Sequence, residues 1–415
     1  MNQYFKRRQN VSKLLQENYV SLVFSGKALM CSQDDAYPFH VDRNFYYLTG
    51  LDAEDMVLLM SNINGVYQEM IFILPYDELQ AKWVGGRMLA EEVSQISEIK
   101  DVRDLADLDA VVERILDRNR GNSEFKFYFD MWHYTMDQHY TEASKYAHKL
   151  MKNYPYLTIK DNFSALTTSR LVKDETEIDS MRKAIHITNL GIKEMMLVSK
   201  PGVNESVMEG VFDFVLKNNL CKELAFSTIA ASGKNATILH YRDNNQYMND
   251  GDLFLCDLGA TYNHYCADVS RTFPVNGKFT DRQKEIYNIV LGAQKVVEDN
   301  AKPGIKIREL NQMVIDYYKE ELPKHNLTKD VSEYYYHSIS HHIGLDCHDV
   351  DGGMGSVLQA GNVISNEPGL YIEDESIGIR IEDDLLITDE GCEVLSAGII
   401  KSVEDIENFM SSKNQ

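Results

Sequence analysis

The sequence predicts two domains: an α/β unit over residues 1–165, then an α+β unit with a curved antiparallel sheet over residues 166–415. Three observations carry this expectation. A chain of 415 residues is too long for one ordinary hydrophobic core. Strand-like and helix-like runs alternate up to about residue 160, the pattern of an α/β layer arrangement. Beyond that point long amphipathic helical stretches dominate, and strands bearing acidic residues gather in two hairpin-like segments.

In the first domain Val20–Phe24, Met56–Met60 and Met70–Leu74 read as buried strands, and residues 5–17 and 88–98 as helices. No cluster of metal-ligating residue types occurs there. The stretch from Thr167 to Lys173 is the expected boundary. A helix is expected over about 175–198, because Asp174 and Glu177 stand at capping-box spacing and Ile178, Met181, Ile185, Ile192 and Met195 form one apolar stripe. Thr188 interrupts the stripe, but its hydroxyl can bond back to the preceding turn. Further helices are expected over about 205–219, from Thr280 onward with Gln283 completing a capping box, and over about 307–322.

Composition narrows the function classes. A hydrophobic content of 44% with 26% charged residues describes a globular chain, and a formal charge of −22 argues against nucleic acid or an anionic membrane as partner. None of the six cysteines forms a Cys-x-x-Cys pair, which argues against a thiolate zinc site and fits structural thiols in a reducing compartment. No run approaches the ~18–20 apolar residues of a membrane span, and the basic N-terminus leads into no signal-peptide core. A cytoplasmic location is expected.

The chemistry concentrates in the second domain. Asp252–Pro274 contains two apolar runs, each with one acid, Asp257 or Asp268. A tight turn at Tyr262-Asn263 pairs residues whose numbers sum to 525, and these two acids then face each other with Cβ atoms about 5 Å apart. The same arithmetic pairs Glu367 with Glu382 across a turn centred on Asp374-Glu375. Facing carboxylates are destabilising unless a cation separates them, and four carboxylates call for two divalent ions. Oxygen-rich donors favour hard or borderline ions such as Mn²⁺. Between the hairpins, four of twelve histidines fall within twelve residues, at 337, 341, 342 and 348, and an imidazole suits the role of a fifth ligand. His240 precedes the first hairpin.

These segments resemble the peptidase family of aminopeptidase P, prolidase and methionine aminopeptidase, with its pita-bread catalytic domain. The resemblance rests on Cys-Asp257-Leu-Gly, Ala-Asp268-Val-Ser-Arg-Thr-Phe-Pro, Ser-His341-His-Ile-Gly-Leu-Asp-Cys-His-Asp, Asn-Glu367-Pro-Gly-Leu-Tyr-Ile and Arg-Ile-Glu382-Asp-Asp. Upstream, Tyr37–Gly50 and Lys82-Trp-Val-Gly-Gly-Arg look like the N-terminal domain of aminopeptidase P. The resemblance implies that Asp257, Asp268, His341, Glu367 and Glu382 hold two divalent ions, Mn²⁺ first, with Zn²⁺ or Co²⁺ as the other candidates. It implies cleavage of the N-terminal Xaa-Pro bond by a metal-bridging hydroxide, on peptides with proline second. Glu367 would shuttle the proton, His348 and His240 would contact substrate, and His337 would line the proline pocket. Arg380, two residues before Glu382 and so on the same strand face, would support the acids or the substrate. Trp83 matches a position that can reach a neighbouring subunit, implying a homodimer or homotetramer. The alternatives are a prolidase confined to Xaa-Pro dipeptides and a metal-free binding protein of the same fold, which the intact ligand set disfavours. His342, and Ser338 after His337, depart from the usual pattern and would alter the pocket wall.

Overall fold

In the computed structural model the described residues are 1–412 apart from 123, 132–134, 137–139 and 352–355. They divide into two compact units, Met1–Arg170 and Leu171–Gln415.

The first unit is built on a six-stranded mixed sheet. Its strands run in the order Val102–Asp104, Val66–Ile73, Val57–Ile63, Tyr19–Phe24, Lys126–Phe129 and Thr158–Asp161. The three central strands of the predicted set pair antiparallel, and the outer ones join in parallel. Val20, Leu22, Leu59, Phe72, Phe127 and Phe129 form the core against Val111, Val112, Leu116, Ala147 and Leu150 of two covering helices. The Tyr37–Gly50 motif splits in two. Tyr37 is exposed, whereas Phe45, Tyr46, Tyr47 and Leu48 lie buried on the helix Arg43–Thr49, which Asp42 caps. Gly50 closes that helix at φ 72°, and a Cβ there would enter the Tyr4 ring. Trp83 is not a core residue: it is 81% exposed, on the helix Glu78–Val84, which buries none of its side chains.

The second unit opens with the helix Glu175–Val198, capped by the reciprocal Asp174–Glu177 box. Thr188 is buried, donates to Ala184 O at 2.9 Å and accepts from Ala260 N at 2.9 Å, so the residue that interrupts the stripe fastens the helix to the first hairpin. Helices Glu205–Asn218, Asp281–Asn300 and Ile307–Glu321 follow, the second of them closed by the Thr280–Gln283 box. Among the described residues every strand pair of this unit is antiparallel, as the expected curved sheet requires.

The second hairpin has the expected register. Gly369–Ile372 pairs with Ile377–Arg380, and Val363–Asn366 with Asp383–Ile387, always between residues whose numbers sum to 749. Glu367 and Glu382 therefore stand opposite each other at the junction of the two ladders, where Pro368 lacks the N–H that would continue the pairing. The first hairpin differs from expectation. Leu253–Leu258 pairs with Val269–Pro274 on a sum of 527, so Asp257 faces Ser270, and Asp268 falls opposite Gly259. The reversal sits at Asn263-His264, whose φ values of 50° and 64° suit a turn with two left-handed residues. Asparagine and histidine tolerate that region, while Tyr262 stays in the strand. A shift of two in the sum keeps both acids on one face, because side chains alternate with period two.

Gly259 is a steric requirement of this hairpin. A Cβ there would meet the carbonyl oxygen of Ala267, the residue before Asp268. Gly259→Ala is expected to destabilise the protein by roughly 1–3 kcal/mol, read as a lower denaturant midpoint; an unchanged midpoint would contradict this reading.

Candidate metal centre

The two hairpins and the segment from His337 to Asp349 converge on one face. Arg380, 2% exposed, is the hub. Its Nη2 donates to Asp257 Oδ2 at 2.7 Å, Nε to Ser270 Oγ at 2.8 Å, and Nη1 to the Tyr371 hydroxyl oxygen at 2.9 Å. Ser270 in turn donates to Glu382 Oε2 at 2.8 Å. One guanidinium thus fixes an acid from each hairpin, one directly and one through a hydroxyl. From the opposite face of the strand Val269–Pro274 that carries Ser270, buried Arg271 donates to Glu382 O at 2.6 Å and to Asp383 Oδ1 at 2.7 Å, locking the two hairpins together.

His341 completes the cluster. Its Nε2 lies 3.3 Å from Asp268 Oδ2 and 3.5 Å from Glu367 Oε1. Its Nδ1 is 3.1 Å from His342 O, a carbonyl that accepts only from a protonated nitrogen, so Nε2 carries the lone pair in the neutral ring. Donor atoms of Asp268, His341 and Glu382 lie within 4.8 Å of one another. Asp257 Oδ1 is buried without a hydrogen-bond partner. A buried carboxylate oxygen left open beside three other acids is what a cation-binding site requires and what a purely structural cluster avoids.

The electrostatics agree. Burial raises the Asp257 carboxyl, against the pull of Arg380. Burial pushes Glu367 up to about 7, with His341 opposing the rise and Asp268 adding to it. Glu382 is raised well above the usual range by burial and by Asp268 and Glu367. Burial lowers the affinity of His341 for a proton, but Asp268 and Glu367 outweigh it and lift the imidazole to about 9. Without a divalent ion, protons must supply the positive charge that these side chains demand.

The other predicted residues surround this cluster. His337 donates from Nδ1 to Ser338 O at 2.8 Å and accepts at Nε2 from the Tyr371 hydroxyl at 2.9 Å, ending a chain that begins at Arg380. Burial, reinforced by Arg380, lowers it to about 3, so it stays neutral. His348 is exposed, its ring stacked on His341 at 4.0 Å. His240 is also exposed, and its charge is felt by both His337 and His348. His342 does not join the centre: it is 2% exposed, neither ring nitrogen has a partner, and burial lowers it to about 4.

Four contributors were not read from the sequence. Ser270 sits two residues from Asp268 and Tyr371 four from Glu367, both already singled out, and same-face spacing was the available signal. Arg271 lies between Ser270 and Thr272 and shows its role only once two strands meet. Glu205, fully buried, accepts from Ser232 N and Oγ, Asn235 Nδ2, the Tyr241 hydroxyl and Gln246 N, at 2.7 to 3.1 Å, and so shapes the loop that carries His240. Nothing local in the sequence marks it.

Known proteins match this chain over nearly its whole length. Residues 179–389 match the model of metallopeptidase family M24, and residues 4–123 that of the aminopeptidase P N-terminal domain. The Xaa-Pro aminopeptidase of Haemophilus influenzae is 33% identical, over 99% of this chain and 97% of its own. A candidate aminopeptidase P from Bacillus anthracis superposes with a TM-score of 0.96 at 39% identity, covering 99% of this chain and 98% of the other. Zinc-substituted Escherichia coli aminopeptidase P in complex with product superposes with a TM-score of 0.89 at 29% identity, covering 100% and 98%. Fold and site together define a two-domain metallohydrolase. The chain belongs to metallopeptidase family M24, in the branch that carries the aminopeptidase P N-terminal domain.

The raised Glu367 carboxyl has a testable consequence. Its folded value of about 7 lies above the usual 4.5, so in metal-stripped protein its stabilising contribution is complete below about 4.5 and is lost as pH rises through 7. Stripped Glu367→Gln should therefore gain in melting temperature over stripped wild type as pH rises from 4.5 to 7, and the gain should level off above that. A difference independent of pH would contradict the assignment.

Proposed function

We propose that the protein is a metallo-aminopeptidase that removes the first residue of peptides whose second residue is proline. The observation that carries this reading is the convergence of four buried or half-buried carboxylates and one imidazole around a fixed guanidinium, with one carboxylate oxygen left open. Asp257, Asp268, His341, Glu367 and Glu382 would hold two divalent ions, with Mn²⁺ preferred by an oxygen-rich donor set and Zn²⁺ or Co²⁺ the other candidates. When bound, such ions acidify a water to a nucleophile near neutral pH and polarise the carbonyl ahead of proline.

The chain's own residues supply the rest. Glu367 takes a proton from the attacking water and returns it to the departing proline nitrogen, which leaves poorly as an anion. His337 is flanked by the rings of Tyr335 and Tyr371, with centroids 4.8 and 5.6 Å away, an aromatic surround suited to a prolyl ring. Kept neutral, His337 adds no charge to that wall. His348 and His240, both exposed beside the cluster, are the substrate contacts, hydrogen-bonding the peptide carbonyl or the charge that develops on it. Arg380 holds Asp257 and Ser270 in place through the reaction.

The alternative of a prolidase is disfavoured by the match of residues 4–123 to the aminopeptidase P N-terminal domain. The helix Glu78–Val84 presents Leu79, Trp83 and Val84, 68%, 81% and 77% exposed, and we read it as a contact with a second copy in a homodimer or homotetramer. No helix among the described residues is long and apolar enough to cross a membrane. A cytoplasmic location is supported by six cysteines that are all thiols.

Stripping the metal should abolish turnover and Mn²⁺ should restore it, with Xaa-Pro-Pro tripeptides and longer peptides cleaved in preference to Xaa-Pro dipeptides. Dipeptide-only turnover would reverse the choice in favour of prolidase. Glu367→Gln should lower kcat by about 10²–10⁴-fold; a variant within a few-fold of wild type would remove Glu367 from the proton path.

A further inference from the structure

Beside the carboxylates lies a thiol that the peptidase reading does not use. Cys347 donates a hydrogen bond from Sγ to Asp268 Oδ2 at 2.9 Å, and that same oxygen lies 3.3 Å from His341 Nε2. One donor atom from each of His341, Cys347 and His348 lies within 4.8 Å of the others, and the two imidazoles stack at 4.0 Å with 19° between their planes. The segment holding these donors is anchored at both ends. Cys266 N donates to Gly344 O at 2.8 Å, and the Lys173–Asp349 ion pair closes at 2.9 Å with both side chains 1% exposed. Breaking one partner of such a buried pair strands a charge, so the segment is held in place.

The chemistry of this group differs from that of the four carboxylates. A sulfur and two imidazoles suit borderline and soft cations, whereas a carboxylate set suits hard ones. We propose that Cys347, His348 and His341 form a second metal site, selective for thiophilic divalent cations of the zinc and cadmium type, with Asp268 Oδ2 in reach as a fourth donor. Four donors of this kind match the preferred tetrahedral set of such ions. On binding, the Cys347 proton that now points at Asp268 is released to solvent, and the thiolate takes its place on the ion. Because the site takes His341 Nε2, it excludes the hard-ion arrangement; this exclusion alone rests on the ligand set proposed above. A thiophilic ion would thereby act as an inhibitor written into this chain by Cys347 rather than by the acids.

The test adds Cd²⁺ to metal-stripped full-length protein and follows the ultraviolet charge-transfer absorption of a cadmium–thiolate bond, a readout independent of peptidase activity. Wild type should show the band at one equivalent. Cys347→Ser, which keeps the size and the hydrogen bond but not the soft sulfur, should lose it, and Cys347→Val should do the same. Cys31→Ser should keep it. His348→Ala should weaken cadmium binding by about tenfold or more. A band that survives in both Cys347 variants, the absence of a band in wild type, or binding unchanged in His348→Ala would each overturn the proposal. None of these outcomes bears on whether the Mn²⁺-loaded protein cleaves Xaa-Pro bonds.

Discussion

The second unit depends on one electrostatic constraint: four carboxylates share a buried site with one fixed guanidinium. Taking an ionised acid out of water costs several kcal/mol unless an opposite charge compensates it. Arg380 compensates Asp257 directly and steadies Glu382 through Ser270. That leaves Asp268 and Glu367 leaning on His341, and the upward shifts of Asp257, Glu367 and Glu382 measure how incomplete the compensation is. The fold accepts this cost because cations can remove it.

The surrounding architecture keeps the acids from relaxing apart. The two ladders of the second hairpin hold Glu367 and Glu382 opposite each other at a single register. Arg271 clamps the backbone of Glu382 from the far side, and Thr188 ties the first hairpin to the long helix. Contrast the exposed His348 and His240 with the buried Asp268 and Glu382. The groups proposed to hold cations are immobilised in the interior, while those proposed to touch a peptide face solvent.

Much of this was legible in the sequence, for physical reasons that differ by element. The second hairpin was readable because Glu373–Ser376 is a polar run between apolar ones, which fixes the centre and so the register. The first was misread by one residue at its turn because it lacks glycine; the left-handed positions fall on Asn263 and His264, and only the rarer tolerance of histidine for that conformation marks them. Helix limits followed capping boxes closely, as at Asp174 and Thr280. Ser270, Tyr371 and Glu205 stayed hidden because their roles are set by partners 9 to 112 residues away, and hydroxyls or acids of that kind are common on any surface. The exposure of Trp83 could not be told from a core position, since a short helix gives too little periodicity to choose a face.

On the reading proposed above, the acids and His341 together grip a pair of ions. Anomalous diffraction from crystals grown with Mn²⁺, collected at the manganese edge, tests it most directly. Two peaks per chain are expected, about 3.5–4 Å apart, bounded by Asp257, Asp268, His341, Glu367 and Glu382. A map with no peak among these side chains, or with manganese bound only elsewhere on the protein, would contradict it.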